Sequence, residues 1–278
     1  MFEVEGAGVA LRLRRPGPQS TRDAGKRAAP DEIQRQIDLA NWLAERDYPV
    51  NLPVTELGLQ HQDLDGAVAS FWEWIEEDRE RQVHLADLAR LLGTLHSLLD
   101  EYPAAAAFPR WDPFDEIEQR LRALELEADG WPDQAQLDLL RDWSRRNRDE
   151  LGAVDWALPG GLIHGDAHVG NVLTAGDGTD LMIDLDAVAQ GRREWDLVPT
   201  AVSHLRFRAT PDSLEGFTAA YGFDLLQWSG WPAIKRTREL YMTSWLMSVA
   251  NNGTRREEVD HRMRCLAEGD EQVTWHAV

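Results

Sequence analysis

Over the first 75 residues the hydrophobic positions fall at two different spacings. Phe2 and Val4, then after Gly6-Ala7-Gly8 the set Val9, Leu11 and Leu13, alternate with polar positions that include Arg12 and Arg14. A period of two predicts a β-hairpin. Residues 16–30, PGPQSTRDAGKRAAP, have no period and predict a loop. From Asp31 the spacing is helical: Asp31 and Glu32 suit the positive end of the helix dipole, and Ile37, Leu39, Ala40 and Leu43 form an apolar face that should end near Asp47. Further strands are expected over 50–55 and 67–75, which makes residues 1–75 a small β-rich lobe with one helix.

Beyond the connector EEDRER long helices take over. Leu85, Leu88, Leu92, Leu95 and Leu99 step by 3, 4, 3 and 4, one buried stripe, and Phe114, Ile117, Leu121 and Leu124 repeat the pattern. A third helix is expected from Pro132 towards Leu151. Set among these helices is one compact β element, with strands at 161–163, 172–175 and 181–185 and a Gly-Asp-Gly turn before the last. From Glu194 onward the pattern is helical again. There is no internal repeat and no low-complexity tract. The two regions, 1–75 and 76–278, predict an α+β chain of two lobes.

Composition narrows the function. The 278 residues hold 49 acidic and 29 basic side chains, a net charge of −20, with no basic cluster to attract nucleic acid or an anionic membrane. No apolar run approaches the ~18 residues of a membrane span. The single cysteine, Cys265, and the absence of a secretory pattern at the start point to a reducing cytoplasm. Only Lys26 and Lys235 are lysines, so arginine must serve where a cation is needed. Twelve tryptophans and the acidic surface are equally compatible with a cationic ligand and with plain packing and solubility.

The chemistry is concentrated in His164-Gly165-Asp166-Ala167-His168-Val169-Gly170-Asn171, followed by Asp184-Leu185-Asp186. A carboxylate on a loop after a short strand can orient a hydroxyl nucleophile and take its proton. Asn171 and Asp184 offer the oxygen donors that Mg²⁺ prefers. Alternation along the last strand should send Asp184 and Asp186 to one face and Ile183 and Leu185 to the core. Asp-x-x-x-x-Asn is also the spacing of kinase catalytic loops, where the protein supplies positioning and charge neutralisation.

HGDAHVGN, MIDLD and GRREWDL together closely resemble the aminoglycoside phosphotransferase and choline kinase-like family, which has a two-lobed protein-kinase-like fold. The resemblance extends to ALRLRRPG as the family's third strand, LANWLAERDYPV as its lobe helix and turn, ASFWEWI as its hinge and ADLARLLGTLHSL as its first large C-lobe helix. It implies an ATP- or GTP-dependent, Mg²⁺-dependent small-molecule kinase that phosphorylates a hydroxyl. Asp166 would be the catalytic aspartate, Asn171 and Asp184 the metal ligands, and Asp196 a buried brace for the catalytic loop. Arg12 would contact nucleotide phosphate, and the backbone of Glu73, Trp74 and Ile75 would meet adenine. His164, His168 and Asp186 would support the site. Two departures are expected. The first strand and phosphate-covering loop have no counterpart before the hairpin, which predicts a truncated lobe and weak nucleotide binding. The helix acid that should pair with Arg12 aligns with Gln36, leaving Glu32, one turn earlier, as its substitute.

Other readings compete. His-x-Asp-x-His could belong to a metallohydrolase site, and Asp-Leu-Asp to a glycosyltransferase. A chain keeping these residues without the lid could also be a catalytically silent nucleotide- or ligand-binding protein. His96, on the leucine-rich helix, is expected to be a hydrogen-bonded core histidine.

Overall fold

The computed structural model describes residues 2–4, 8–14, 30–54, 68–78, 80–126, 130–208 and 213–278, with the backbone alone at 2–4, 12–14, 30 and 68. The alternating N-terminal positions form β1 (Phe2–Val4) and β2 (Val9–Arg14), paired antiparallel with Phe2 opposite Leu11. β3 (Val68–Glu73) pairs with the other edge of β2, with Arg12 opposite Ser70, so the sheet order is β1-β2-β3. The helix α1 (Pro30–Ala44) carries Leu39, Ala40 and Leu43 into the core. Asp47, at φ 57°, turns the chain behind it. The loop expected at 16–29 lies outside the described residues.

Residues 50–54 are not the strand that their composition predicts. They make only isolated bridges, Val50 to Met182 and Pro53 to Trp72. Proline has no N–H for a ladder, and Pro49 and Pro53 interrupt this one. Those bridges nevertheless tie the small sheet to the helical region.

The stripes at 85–99 and 114–124 form α2 (Leu85–Leu99) and α3 (Pro113–Glu125). Leu88, Leu92, Ile117 and Leu121 are wholly buried. Truncating one such leucine to alanine would cost about 2–5 kcal/mol. α4 (Gln134–Gly152) starts later than Pro132 because Asp133 is its N-cap, in a reciprocal capping box with Gln136. α5 (Glu194–Phe207), α6 (Leu214–Tyr221), α7 (Trp231–Val249) and α8 (Gly253–Glu268) complete the helical region. α7 runs through its centre and packs on α3, α4, α5 and α8. Being surrounded, α7 buries polar side chains that must find partners: Arg206 of α5 bonds Glu239 at 2.6 Å, and Asn147 of α4 bonds Thr237 at 2.6 Å.

The compact β element is two small sheets, not one hairpin. β4 (Gly160–Ile163) pairs with β7 (Ala189–Arg192), a strand without a clear pattern, while β5 (Val172–Thr174) pairs with β6 (Asp180–Met182). The last strand therefore stops before the acids. Asp184 adopts a left-handed conformation, φ 63° and ψ 65°, and a 3-10 turn over Leu185–Ala187 follows. Aspartate tolerates that conformation better than β-branched or apolar residues do. Asp184 and Asp186 consequently do not share a strand face. α1 packs against this turn, which brings the small lobe to the acids.

Candidate active site

The loop between β4 and β5 is held by a carboxylate beneath it. Asp196, in the first turn of α5 and fully buried, accepts from His164 N at 2.7 Å and from Gly165 N at 2.8 Å. Its Oδ2 also lies 2.9 Å from Nε2 of His96 on α2, whose Nδ1 lies 2.8 Å from the Tyr221 hydroxyl of α6. Burial pushes the Tyr221 hydroxyl pKa up, so it stays protonated and can donate. One carboxylate thus joins three helices to the loop. Trp195 Nε1 donates to Gly165 O at 2.8 Å from the other side. Gly165 sits at φ 87°, and a Cβ there would lie 2.1 Å from Ala187 O, so no other residue fits this turn without displacing it.

Asp166 follows on this fixed backbone. Asn171, in a 3-10 turn at the loop's end, donates Nδ2 to Asp166 O at 2.8 Å. His164 is fully buried, with Nε2 3.1 Å from Ile183 O and Nδ1 facing Asp166 N at 3.4 Å. Both ring nitrogens are occupied by backbone, and the ring ties the loop to the segment that carries Asp184. His168 instead faces the Asp166 carboxylate, Nε2 to Oδ2 at 3.6 Å. The two histidines therefore do not converge on one point as a His-x-Asp-x-His metal pair would.

The Asp166 side chain remains about 44% exposed. Arg238 of α7 donates to its Oδ1 at 3.1 Å. Burial opposes ionisation of this carboxyl, but His168 and the Arg238 guanidinium outweigh it and hold its pKa well below the usual range.

One hollow meets this loop, and a second meets the 182–185 segment to which His164 and Asn171 bond. On one side a cavity of about 530 Å³ is lined by Asp166, Arg238, Arg120, Tyr241 and Trp245 among others. On the other, Asp184, Ile183, Met182, Asn51 and Trp72 line a cleft of about 270 Å³. It shares Asn51 and Ile183 with a hollow of about 250 Å³ beside Glu73, Trp74 and Ile75. The amides of Glu73 and Trp74 donate to Leu52 O and Gly8 O, while the Ile75 amide has no partner among the described residues. Asn51 is buried with its Oδ1 unpartnered, on the wall common to both hollows. Asp186 lies half-buried in the turn, its amide 3.4 Å from Asp184 Oδ1.

The Arg12 side chain lies outside the described residues, so its pairing with Glu32 or Gln36 does too. Gln36 is buried and Glu32 half-buried on α1. Sequence reasoning missed Asn51, Arg238, Tyr241 and Trp245. Asn51 sits in an irregular segment with no signal. Arg238, Tyr241, Met242 and Trp245 recur at i, i+3, i+4 and i+7, and this stripe of arginine with aromatic residues was the available sign.

Several comparisons bear on this arrangement. Compared with curated protein sequences, the chain finds no significant match. Solved structures share its fold at low identity. An amicoumacin kinase, hAmiN, in complex with AMP-PNP, Ca²⁺ and Ami aligns with a TM-score of 0.71 at 14% identity, over 96% of this chain and 83% of that one. The microcompartment-associated aminopropanol kinase gives 0.61 at 18% identity over 94% and 86%. Choline kinase LicA from Streptococcus pneumoniae gives 0.57 at 16% over 88% and 84%. These are small-molecule kinases of protein-kinase-like fold, with the small sheet and larger helical region described above. The model of the phosphotransferase enzyme family, APH, matches residues 9–235, which span both regions and every acid of the loop, and the chain belongs to that family.

Proposed function

We propose that the protein transfers the γ-phosphoryl group of ATP or GTP to a hydroxyl of a small molecule, with Mg²⁺ as the metal. The observation that carries this reading is the Asp166 carboxylate: ionised, half-exposed, and mounted on a backbone fixed by Asp196 and Asn171 at the mouth of a ligand-sized cavity. The acceptor oxygen would bond to the γ-phosphorus as the bridge to the β-phosphate breaks, with the nucleoside diphosphate leaving. The hydroxyl proton would pass to Asp166 and then to solvent. Asp166 orients the hydroxyl more than it deprotonates it, because its low basicity suits a loose transition state in which little base strength is required.

The donor set near the cleft suits a hard divalent cation. Asn171 spends its Nδ2 on Asp166 O, which leaves its oxygen available, and Asp184 adds a carboxylate from the opposite segment. When bound, the metal would neutralise phosphate charge. Asn171 and Asp184 would hold it, with Asp186 behind them. The small lobe, residues 1–75, would bind nucleotide, with adenine against the hinge hollow and Ile75. The fixed loop and the buried Asp196 keep these donors in place without reorganisation during the reaction.

The test is nucleoside-diphosphate release from ATP or GTP with magnesium over a panel of hydroxylated amines, acids and sugars, using Asp166→Asn as the control. Turnover that requires both an acceptor and Asp166 is expected. Metal-dependent nucleotide binding with no turnover on any acceptor would favour the silent binding protein instead.

A further inference from the structure

The side chains lining the cavity on the Asp166 side are cationic more often than acidic, the reverse of the molecule as a whole. Three arginines line the cavity, Arg120, Arg238 and Arg262, and Asp166 is the one carboxylate side chain among its lining residues. Two of the arginines have acids of their own outside the lining. Arg120 donates to Glu116 at 2.9 Å, and Arg262 to Glu258 at 2.7 Å. Tyr241, whose pKa burial and the neighbouring Glu116 push up to about 12, also donates to Glu116, at 2.7 Å. Both oxygens of Glu258 are thereby bonded, to Arg262 and to His276, while Glu116 takes Arg120 and Tyr241 on one oxygen and turns its half-exposed other edge outside the lining.

Arg238 differs from the other two. It is nine-tenths buried, its one hydrogen bond among the described residues goes to Asp166, and its Nε and Nη1 have no partner. Its guanidinium lies 5.6 Å from the Trp195 and Tyr241 rings, which stabilise the charge but accept no proper hydrogen bond. A buried guanidinium with unmet N–H groups is costly. The cost rises when Asp166 shares its charge with an acceptor hydroxyl, because its bond to Arg238, the one partner of that guanidinium among the described residues, is then weakened. An anion on the acceptor would replace it.

We propose that the acceptor is a hydroxy acid whose carboxylate is held by Arg238, with Arg120 as a second cation, and whose apolar body lies along Tyr241 and Trp245. This rests on the phosphotransferase reading above. The 3.1 Å between Arg238 and Asp166 sets the spacing, since a hydroxyl on one and a carboxylate on the other require the two groups on adjacent or next-adjacent carbons. The Nη2 of Arg238, the nitrogen that reaches Asp166, gives a carboxylate a charge-assisted hydrogen bond and would repel an ammonium. Trp245, 51% exposed, leaves room for an apolar group at the rim.

Binding can be measured apart from catalysis. Calorimetric titration of the full chain, with magnesium and a non-hydrolysable ATP analogue, would compare 3-phenyllactate, its amide and phenylalaninol, which share one aromatic body and one hydroxyl. The acid is expected to bind at least about tenfold more tightly than the other two, a difference of ~1.4 kcal/mol. Arg238→Gln should bring the three within about threefold of one another. Because Arg238 is buried, circular dichroism checks its fold, and Arg120→Gln, on the more exposed cation, should weaken the acid alone. Equal or tighter binding of phenylalaninol, binding of none of the three, or a preference untouched by either variant overturns the proposal. Turnover of amines without acid binding would leave the kinase reading standing and remove this one. Acid binding without turnover of any acceptor would do the reverse.

Discussion

The two hollows flanking the Asp166 loop are built in different ways. The cleft by Asp184 draws on the segment 182–185 together with Val50, Asn51 and Trp72, and its one lining acid, Asp184, lies close in sequence to the Asp166 loop. The cavity by Asp166 is walled by α3, α7 and α8, with Arg120, Arg238 and Arg262 more than a hundred positions apart at the extremes. Chemistry common to a reaction class sits in one contiguous motif, where backbone geometry fixes it. On the proposed reading, recognition of the acceptor is spread over helices that meet only in the fold. The first can be read along a chain, and the second needs packing.

This division can be broken by substitution. Asp166→Asn should cut turnover by about a hundredfold or more while leaving nucleotide affinity nearly unchanged, as steady-state kinetics with nucleotide titration would report. Loss of nucleotide binding as well would mean that the two hollows act as one. Asp196→Asn, which removes the charge beneath the loop and turns an amide donor towards N–H groups, should lower stability by about 1–3 kcal/mol by denaturant unfolding. It should also depress turnover, since the loop carries Asp166 and its His164 bonds Ile183 in the wall of the cleft. Asp184→Ala should abolish magnesium-dependent nucleotide binding, with Asp186→Ala having the smaller effect, because Asp184 lines the cleft while Asp186 lies in the turn behind it. The reverse order in titration would exchange their roles.

The smallest expected effect concerns pH. Arg238 and His168 hold the Asp166 pKa down, so the carboxylate persists at low pH and protonates only as pH falls through that depressed value. Removing the cation in Arg238→Gln restores part of the neutral form's advantage and raises this pKa. The acid limb of kcat/KM should therefore move to higher pH. A limb that stays in place would assign the acid-side titration to another group.

Periodicity located α2, α3 and the start of α1 to within a residue, because each buries a stripe of leucine, isoleucine or alanine against the core, while α1 ends at Ala44, three residues short of the expected Asp47. It failed at 50–54 and at 183–186 for one reason. Short apolar runs look like strands, while proline at 49 and 53 and the left-handed Asp184 decide the backbone. β7 escaped notice because Ala189-Gln190-Gly191-Arg192 has little hydrophobic pattern and owes its strand to pairing with β4. Within the site, the loop acids were legible from residue type and spacing. Arg238 was not, since an arginine in a polar helix looks solvated until the fold buries it.

The anchoring of the loop by Asp196 has a consequence for motion. An eight-residue loop at a cavity mouth would ordinarily exchange its amide protons within the first moments of dilution into deuterated water. The His164 and Gly165 amides can do so only if the buried carboxylate lets go, which also means releasing His96 and parting α2 from α5. These two protons should exchange as slowly as those of the leucine-rich helix, while the amides of Val169 and Gly170, further along the same loop, exchange faster. The reacting end of the loop would then keep time with the core of the molecule, not with its surface.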